Sequence, residues 1–140
     1  MKLISKNPDE TILIGQKLAR ELGRGSVVAL IGDLGSGKTV LTKGLAKGLG
    51  VKNSRYVNSP TFVIIKEYKG KIPLYHFDLY RLNHSNLLDM ENFEEYFYGD
   101  GVTVIEWADK IRAHLPPKHV EIKMKVIGEG EREIKIDNFK

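Results

Sequence analysis

The sequence predicts an α/β fold of three layers, with a mainly parallel central sheet and added antiparallel hairpins. Three observations carry this expectation. The apolar run Ser26–Ile31 leads into a glycine-rich stretch and then into a helical pattern over Lys38–Leu49, which is the strand–loop–helix unit of a parallel sheet. A second apolar run, Val102–Ile105, reads as a buried strand that delivers Glu106 at its C-terminal end. Two pairs of strand-like segments flank turn residues: Phe62–Tyr68 and Ile72–Leu79 around Lys69-Gly70, then His119–Ile127 and Arg132–Asp137 around Gly128-Glu129-Gly130.

The remaining elements follow in order. Asn7-Pro8-Asp9-Glu10 reads as a helix start, with a cap residue, proline at the first helical position and acids in the first turn. Ile12, Gly15, Leu18, Ala19 and Leu22 then fall on one helical face, and Gly23 and Gly25 end the helix. Along the next helix Leu41, Gly44, Leu45, Gly48 and Leu49 share a side whose small residues point to close packing on the sheet, with Gly50 as its stop. The segment from Val51 to Thr61 shows no clear period. On the strand Ile72–Leu79, Ile72, Leu74, His76 and Asp78 share one face, and Tyr75, Phe77 and Leu79 the other. Short helical pieces are expected at Leu87–Met90 and Phe93–Phe97, and another after Trp107. The face His119, Glu121, Lys123, Lys125 is expected to be the wet side of its hairpin.

At 140 residues the chain is expected to form a single domain over 1–140. Its 41% hydrophobic and 29% charged content is ordinary for a soluble globular protein. There is no cysteine, so disulfides and thiolate metal sites are excluded, and a cytoplasmic location is expected. No apolar run reaches the ~18 residues of a membrane span, and the N-terminus lacks the apolar core of a signal peptide. The net charge of +4 leans toward an anionic partner such as nucleotide or RNA, or simply a lysine-rich surface.

The chemistry centres on Gly32-Asp33-Leu34-Gly35-Ser36-Gly37-Lys38-Thr39, which fits G-x-x-x-x-G-K-[ST] at every fixed position. Glycines let the backbone turn tightly and aim N–H groups at phosphate oxygens. Lys38 adds a point charge for the outer phosphates, the Thr39 hydroxyl is suited to Mg²⁺, and the helix N-terminus favours an anion. The fold expected is therefore that of a P-loop NTPase. Such a loop needs an acidic partner near the metal, and two strand ends offer one, Glu106 and Asp78. Ser59-Pro60-Thr61-Phe62 occupies the position of a γ-phosphate-sensing switch segment or of an ordinary Ser-Pro turn. His76 reads as a core histidine or as an orienting partner for Asp78. Trp107 reads as core packing or as a gate beside the metal site. No N-K-x-D guanine motif is present, no insertion is long enough for a kinase lid with an acceptor domain, and Arg55 and Arg81 are the candidate arginine fingers.

The loop, Ser59-Pro60-Thr61-Phe62, His76-Phe77-Asp78-Leu79-Tyr80-Arg81 and Ile105-Glu106-Trp107 together resemble the TsaE (formerly YjeE) family, in order and spacing over nearly the whole chain. The resemblance implies an ATPase that binds ATP/ADP and Mg²⁺ and supports threonylcarbamoyladenosine synthesis on tRNA. Its implied partners are TsaB and TsaD, the proteins that carry out the transfer, with tRNA contacted at most indirectly; hydrolysis would reset or regulate their complex. It further implies that Leu34, Gly35, Ser36, Gly37, Lys38 and Thr39 hold phosphates, that Thr39 and Glu106 ligate Mg²⁺, and that Lys38, Asp78 and Glu106 serve hydrolysis. Thr11 and Arg132 match positions near the ribose and base. Ser36, Val40, Ala108 and the Gly130-Glu131-Arg132 spacing depart from the family pattern. Two rivals share the loop: a small-molecule kinase, and a nucleotide-gated binding module with incidental hydrolysis.

Overall fold

Seven strands join one mixed sheet in the computed structural model, which describes residues 1–54, 57, 65–80 and 94–139. In chain order the elements are β1 (Lys2–Ser5), α1 (Pro8–Ala19), β2 (Val27–Gly32), α2 (Lys38–Gly48), β3 (Ile65–Tyr68), β4 (Leu74–Asp78) and α3 (Glu94–Phe97). They continue with β5 (Val102–Glu106), a 3₁₀ helix (Ala108–His114), β6 (His119–Gly128) and β7 (Glu131–Phe139). The strand order is β1-β7-β6-β2-β5-β4-β3. The four central strands β6, β2, β5 and β4 pair in parallel, and β1, β7 and β3 add antiparallel edges. The expected P-loop-type α/β architecture is thus present, both hairpins included. Ser59–Phe62, Leu87–Met90, Arg55 and Arg81 lie outside the described residues.

Alternation along β2 shows why its run is continuously apolar. Val28 and Leu30 face α1 and α2, packing with Leu18, Leu41, Leu45 and Leu49, while Val27 and Ala29 face Phe97, Ala108 and Ile111 on the other side. A strand covered on both faces has no position left for a polar side chain. The resulting layers are unequal: two full helices cover one face, and α3 with the 3₁₀ helix covers the other.

The helix cap forms as the sequence dictates. Asn7 Oδ1 accepts the Glu10 N–H at 2.9 Å, and Glu10 Oε2 reaches back to the Lys6 N–H at 2.7 Å.

Three expectations need correction. Gly44 and Gly48 do not pack on the sheet; they face α1. A Cβ on Gly44 would strike the Ile12 carbonyl, one on Gly48 would lie 2.7 Å from the Gln16 carbonyl, and one on Gly15 would lie 2.6 Å from the Leu41 carbonyl. Glycine therefore lets the two helix backbones touch, and the leucines of α2 serve the sheet. Glu121 is not on a wet face. It is 4% exposed, because β6 is an interior strand beside β2, and its carboxylate accepts the Arg112 guanidinium at 2.7 Å. Finally, β1 was not expected. Four residues are too few to display a period, and this strand forms only because β7 offers an edge to Leu3 and Ile4.

The site-forming feature is the common direction of β2, β4 and β5. In register, Leu30 pairs with Glu106 and Asp78 pairs with Glu106, so the loop after β2 and both candidate carboxylates emerge at one end of the sheet.

Candidate active site

The loop after β2 gets its shape from backbone conformations open to glycine. Gly35 has φ +79° and Gly37 φ +98°, values that a Cβ strains. Gly37 occupies the N-cap of α2, and no side chain caps that terminus. The positive end of an 11-residue helix therefore faces the loop without a capping side chain.

Lys38 folds back across the loop. Its Nζ donates to the carbonyls of Gly32 at 2.6 Å and Asp33 at 2.9 Å, approaches Ser36 Oγ at 3.4 Å, and lies 4.1 Å from the centre of the Trp107 ring. Burial pushes its pKa below the usual 10.5, and the carboxylates of Glu106, Asp78, Asp33 and Asp109 pull partly the other way. The side chain is 5% exposed, so its charge is held in place by a few defined oxygen atoms and an indole face.

The opposite bank comes from strand ends. Thr39 Oγ1 lies 3.1 and 3.3 Å from the two oxygens of Glu106, which is 3% exposed. Asp78, the cross-strand partner of Glu106, accepts the Tyr80 N–H at 3.0 Å, which turns the chain as it leaves β4. After Glu106 the backbone passes through φ +62° at Trp107 into the 3₁₀ helix, and the indole packs at a tilt of 44° against Tyr80 with ring centres 5.0 Å apart. Arg132 arrives from β7 and donates to the Gly35 carbonyl at 3.2 Å.

These groups line a cleft of about 410 Å³ that takes in Leu34, Gly35, Gly37, Lys38, Thr39 and Val40 on the loop side, and Asp78, Tyr80, Glu106, Trp107 and Arg132 on the other. A larger depression of about 520 Å³ beside Ile12, Lys43 and Lys47 has no carboxylate among its described lining residues. The smaller cleft brings Lys38 and Arg132 together with Asp78 and Glu106.

Nearly all the expected site residues meet here. Ser36 sits just behind the lining, 1% exposed, with its Oγ beside Lys38 Nζ. Thr11 does not join them. It is 2% exposed, its hydroxyl lies 2.6 Å from Ser5 Oγ, and it does not line the cleft. Arg132 stands against the loop at Gly35. His76 is a fully buried core histidine, one of its two expected readings; its Nε2 lies 2.5 Å from Glu106 Oε2, so the carboxylate it meets is Glu106 and not Asp78. The sequence signal for this contact was the shared alternation of His76 and Asp78, but the partner depends on how β4 registers against β5.

The oxygen donors suit the expected metal. Thr39 hydroxyl and Glu106 carboxylate converge within hydrogen-bond distance, with the Asp78 carboxylate one strand away, and hard oxygen donors of this kind match Mg²⁺.

A model of the family described as threonylcarbamoyl adenosine biosynthesis protein TsaE matches residues 5–134. The chain belongs to the TsaE family. The match contains every candidate site residue from Thr11 to Arg132. A TsaE protein of Bacillus subtilis, named a tRNA threonylcarbamoyladenosine biosynthesis protein, is 47% identical over 96% of this chain and 83% of its own length. The TsaE protein of Treponema pallidum is 41% identical over 97% of this chain and 99% of its own. The crystal structure of Bacillus subtilis YdiB superposes with a TM-score of 0.82 at 40% identity, covering all of this chain and 86% of that one. No described helix is long and apolar enough to cross a membrane.

Proposed function

We propose that this chain binds and hydrolyses ATP in tRNA threonylcarbamoyladenosine biosynthesis, acting in the cytoplasm on a TsaB–TsaD complex to reset or regulate it between turnovers. Family membership supports the pathway. The observation that supports the chemistry is the meeting of Lys38, Thr39 and Glu106 at the N-terminus of α2, the residue types that phosphoryl transfer from a nucleoside triphosphate uses.

In the proposed mechanism the loop amides of Leu34–Thr39 and the Lys38 ammonium hold the β- and γ-phosphates. Lys38 exchanges its two carbonyl partners for phosphate oxygens as nucleotide enters. Thr39 and Glu106 would hold Mg²⁺, which when bound neutralises charge on the terminal phosphates. Asp78, beside Glu106 in the sheet, orients the water that attacks the γ-phosphorus. The new P–O bond forms as the bond to the ADP oxygen breaks, and ADP leaves with that electron pair. Charge building on the equatorial oxygens is met by Lys38 and the loop amides. Arg132, anchored to the Gly35 carbonyl, closes the cleft beside the nucleotide. Hydrolysis by the isolated chain is expected to be slow if a partner supplies the arginine or water-positioning group that accelerates P-loop enzymes by orders of magnitude.

The test is multiple-turnover tRNA modification by TsaB and TsaD with and without this protein and ATP. Stimulation that requires Lys38 supports the reading; equal yields with and without the protein contradict it. Labelled γ-phosphate ending in inorganic phosphate alone separates this activity from a kinase.

A further inference from the structure

We propose that His76 is a positioning residue that sets the orientation of the Glu106 carboxylate, so that the acid meets Thr39 and a divalent cation in one fixed geometry. The proposal rests on the reading of Glu106 as a metal-holding group. His76 lies in the middle of β4, fully buried, with Val104 as its parallel partner on β5. Glu106 is two residues beyond Val104, and is therefore the diagonal same-face neighbour of His76, within reach of a long side chain. Their contact closes at 2.5 Å between Nε2 and Oε2.

The need for such a partner follows from charge and burial. Glu106 is 3% exposed, and a buried carboxylate costs several kcal/mol unless hydrogen bonds replace its water. Thr39 Oγ1 has one proton to share between the two oxygens, at 3.1 and 3.3 Å, so a carboxylate with several acceptor sites needs a further donor. An N–H from His76 supplies it at Oε2.

The tautomer is fixed by the same geometry. His76 Nδ1 is buried and has no hydrogen-bond partner among the described residues. With the proton on Nδ1, the bare Nε2 would face a carboxylate oxygen and two acceptors would meet at 2.5 Å. With the proton on Nε2, that nitrogen donates to Glu106 and the unpaired atom is an acceptor, the less costly of the two to leave alone.

The decisive experiment is Mn²⁺ binding to the protein–ADP complex, read by electron paramagnetic resonance, for wild type, Glu106→Ala, His76→Leu and His76→Gln. His76→Leu removes the donor while keeping an apolar side chain of similar bulk. It is expected to weaken Mn²⁺ binding on the order of 10–100-fold, the usual effect of losing the partner of a metal ligand. ADP affinity in excess EDTA should stay unchanged. His76→Gln, whose amide N–H reaches near the position of Nε2, should recover most of the loss. Wild-type Mn²⁺ affinity in a folded His76→Leu protein would overturn the proposal, as would a loss of metal-free ADP affinity equal to the loss for Mn²⁺. The wild-type protein supplies an independent reading that needs no variant: ¹⁵N shifts of the His76 ring must show the proton on Nε2, and a proton on Nδ1 overturns the assignment. If Glu106→Ala itself leaves Mn²⁺ binding intact, the metal-site reading fails, which is a different outcome from failure of the His76 role.

Discussion

The two banks of the cleft are made by different means. The loop bank is eight consecutive residues, Gly32–Thr39, whose conformation follows from glycines at Gly35 and Gly37 and from the helix that starts behind them. The strand-end bank gathers Asp78, Glu106, Trp107 and Arg132 from three separate strands, and owes its geometry to the register of β4 on β5 and to the return of β7. A local bank is read from a motif and broken by a single backbone change. An assembled bank is read only once the sheet is known, and is broken by losing the partners that aim its side chains.

The largest effect should come from either bank's central charge. Lys38→Ala and Glu106→Ala are each expected to lower ATP hydrolysis on the order of 100-fold or more, since each removes a group aimed at the reacting phosphates or their metal. Steady-state phosphate release checks this; near-normal turnover in both variants would dissolve the proposed division of labour. Gly37→Ala probes the local bank by geometry alone. A methyl at φ +98° should cost about 1–3 kcal/mol of stability and weaken nucleotide binding together, measured by thermal melting and ADP titration. Gly44→Ala is its control. It forces α1 from α2 at the Ile12 carbonyl and should cost a comparable ~1–3 kcal/mol, while the folded fraction still binds nucleotide normally.

These comparisons match what was legible beforehand. The loop, the strand before it and the helix after it were legible because glycine punctuation and apolar period are local signals. Asp78 and Glu106 were legible as strand-end carboxylates, although not as cross-strand neighbours. His76 was legible as a core histidine, but its contact with Glu106 was not, because two residues on one strand look closer in sequence than a diagonal pair across two strands. Gly44 and Gly48 were placed against the sheet for a related reason: small residues announce close packing without naming the neighbour. Thr11, placed near the ribose and base by family resemblance, lies against Ser5 and does not line the cleft.

Smaller effects sharpen the comparison further. Arg132→Ala removes a half-buried charge whose one contact to the loop is the Gly35 carbonyl at 3.2 Å. It should weaken ADP binding by about tenfold or less, the range of one charge-assisted hydrogen bond near solvent, with little change in kcat. The pH dependence should be the mildest signature. Burial lowers the Lys38 pKa in the free protein, and bound phosphates favour its charged form, so binding takes up protons once Lys38 begins to lose its own. Nucleotide affinity should therefore fall as pH rises through the lowered Lys38 pKa toward 10.5. Lys38→Arg, which keeps its charge, should flatten that slope.

The central claim is that the loop bank grips the nucleotide while the carboxylates of the strand-end bank make it react. ATP binding and single-turnover hydrolysis by Glu106→Gln, beside Lys38→Ala, test it most directly. The account predicts that Glu106→Gln still binds ATP yet hydrolyses it at least about 100-fold more slowly, whereas Lys38→Ala loses affinity as well. Wild-type hydrolysis by Glu106→Gln, or wild-type ATP affinity in Lys38→Ala, would contradict it.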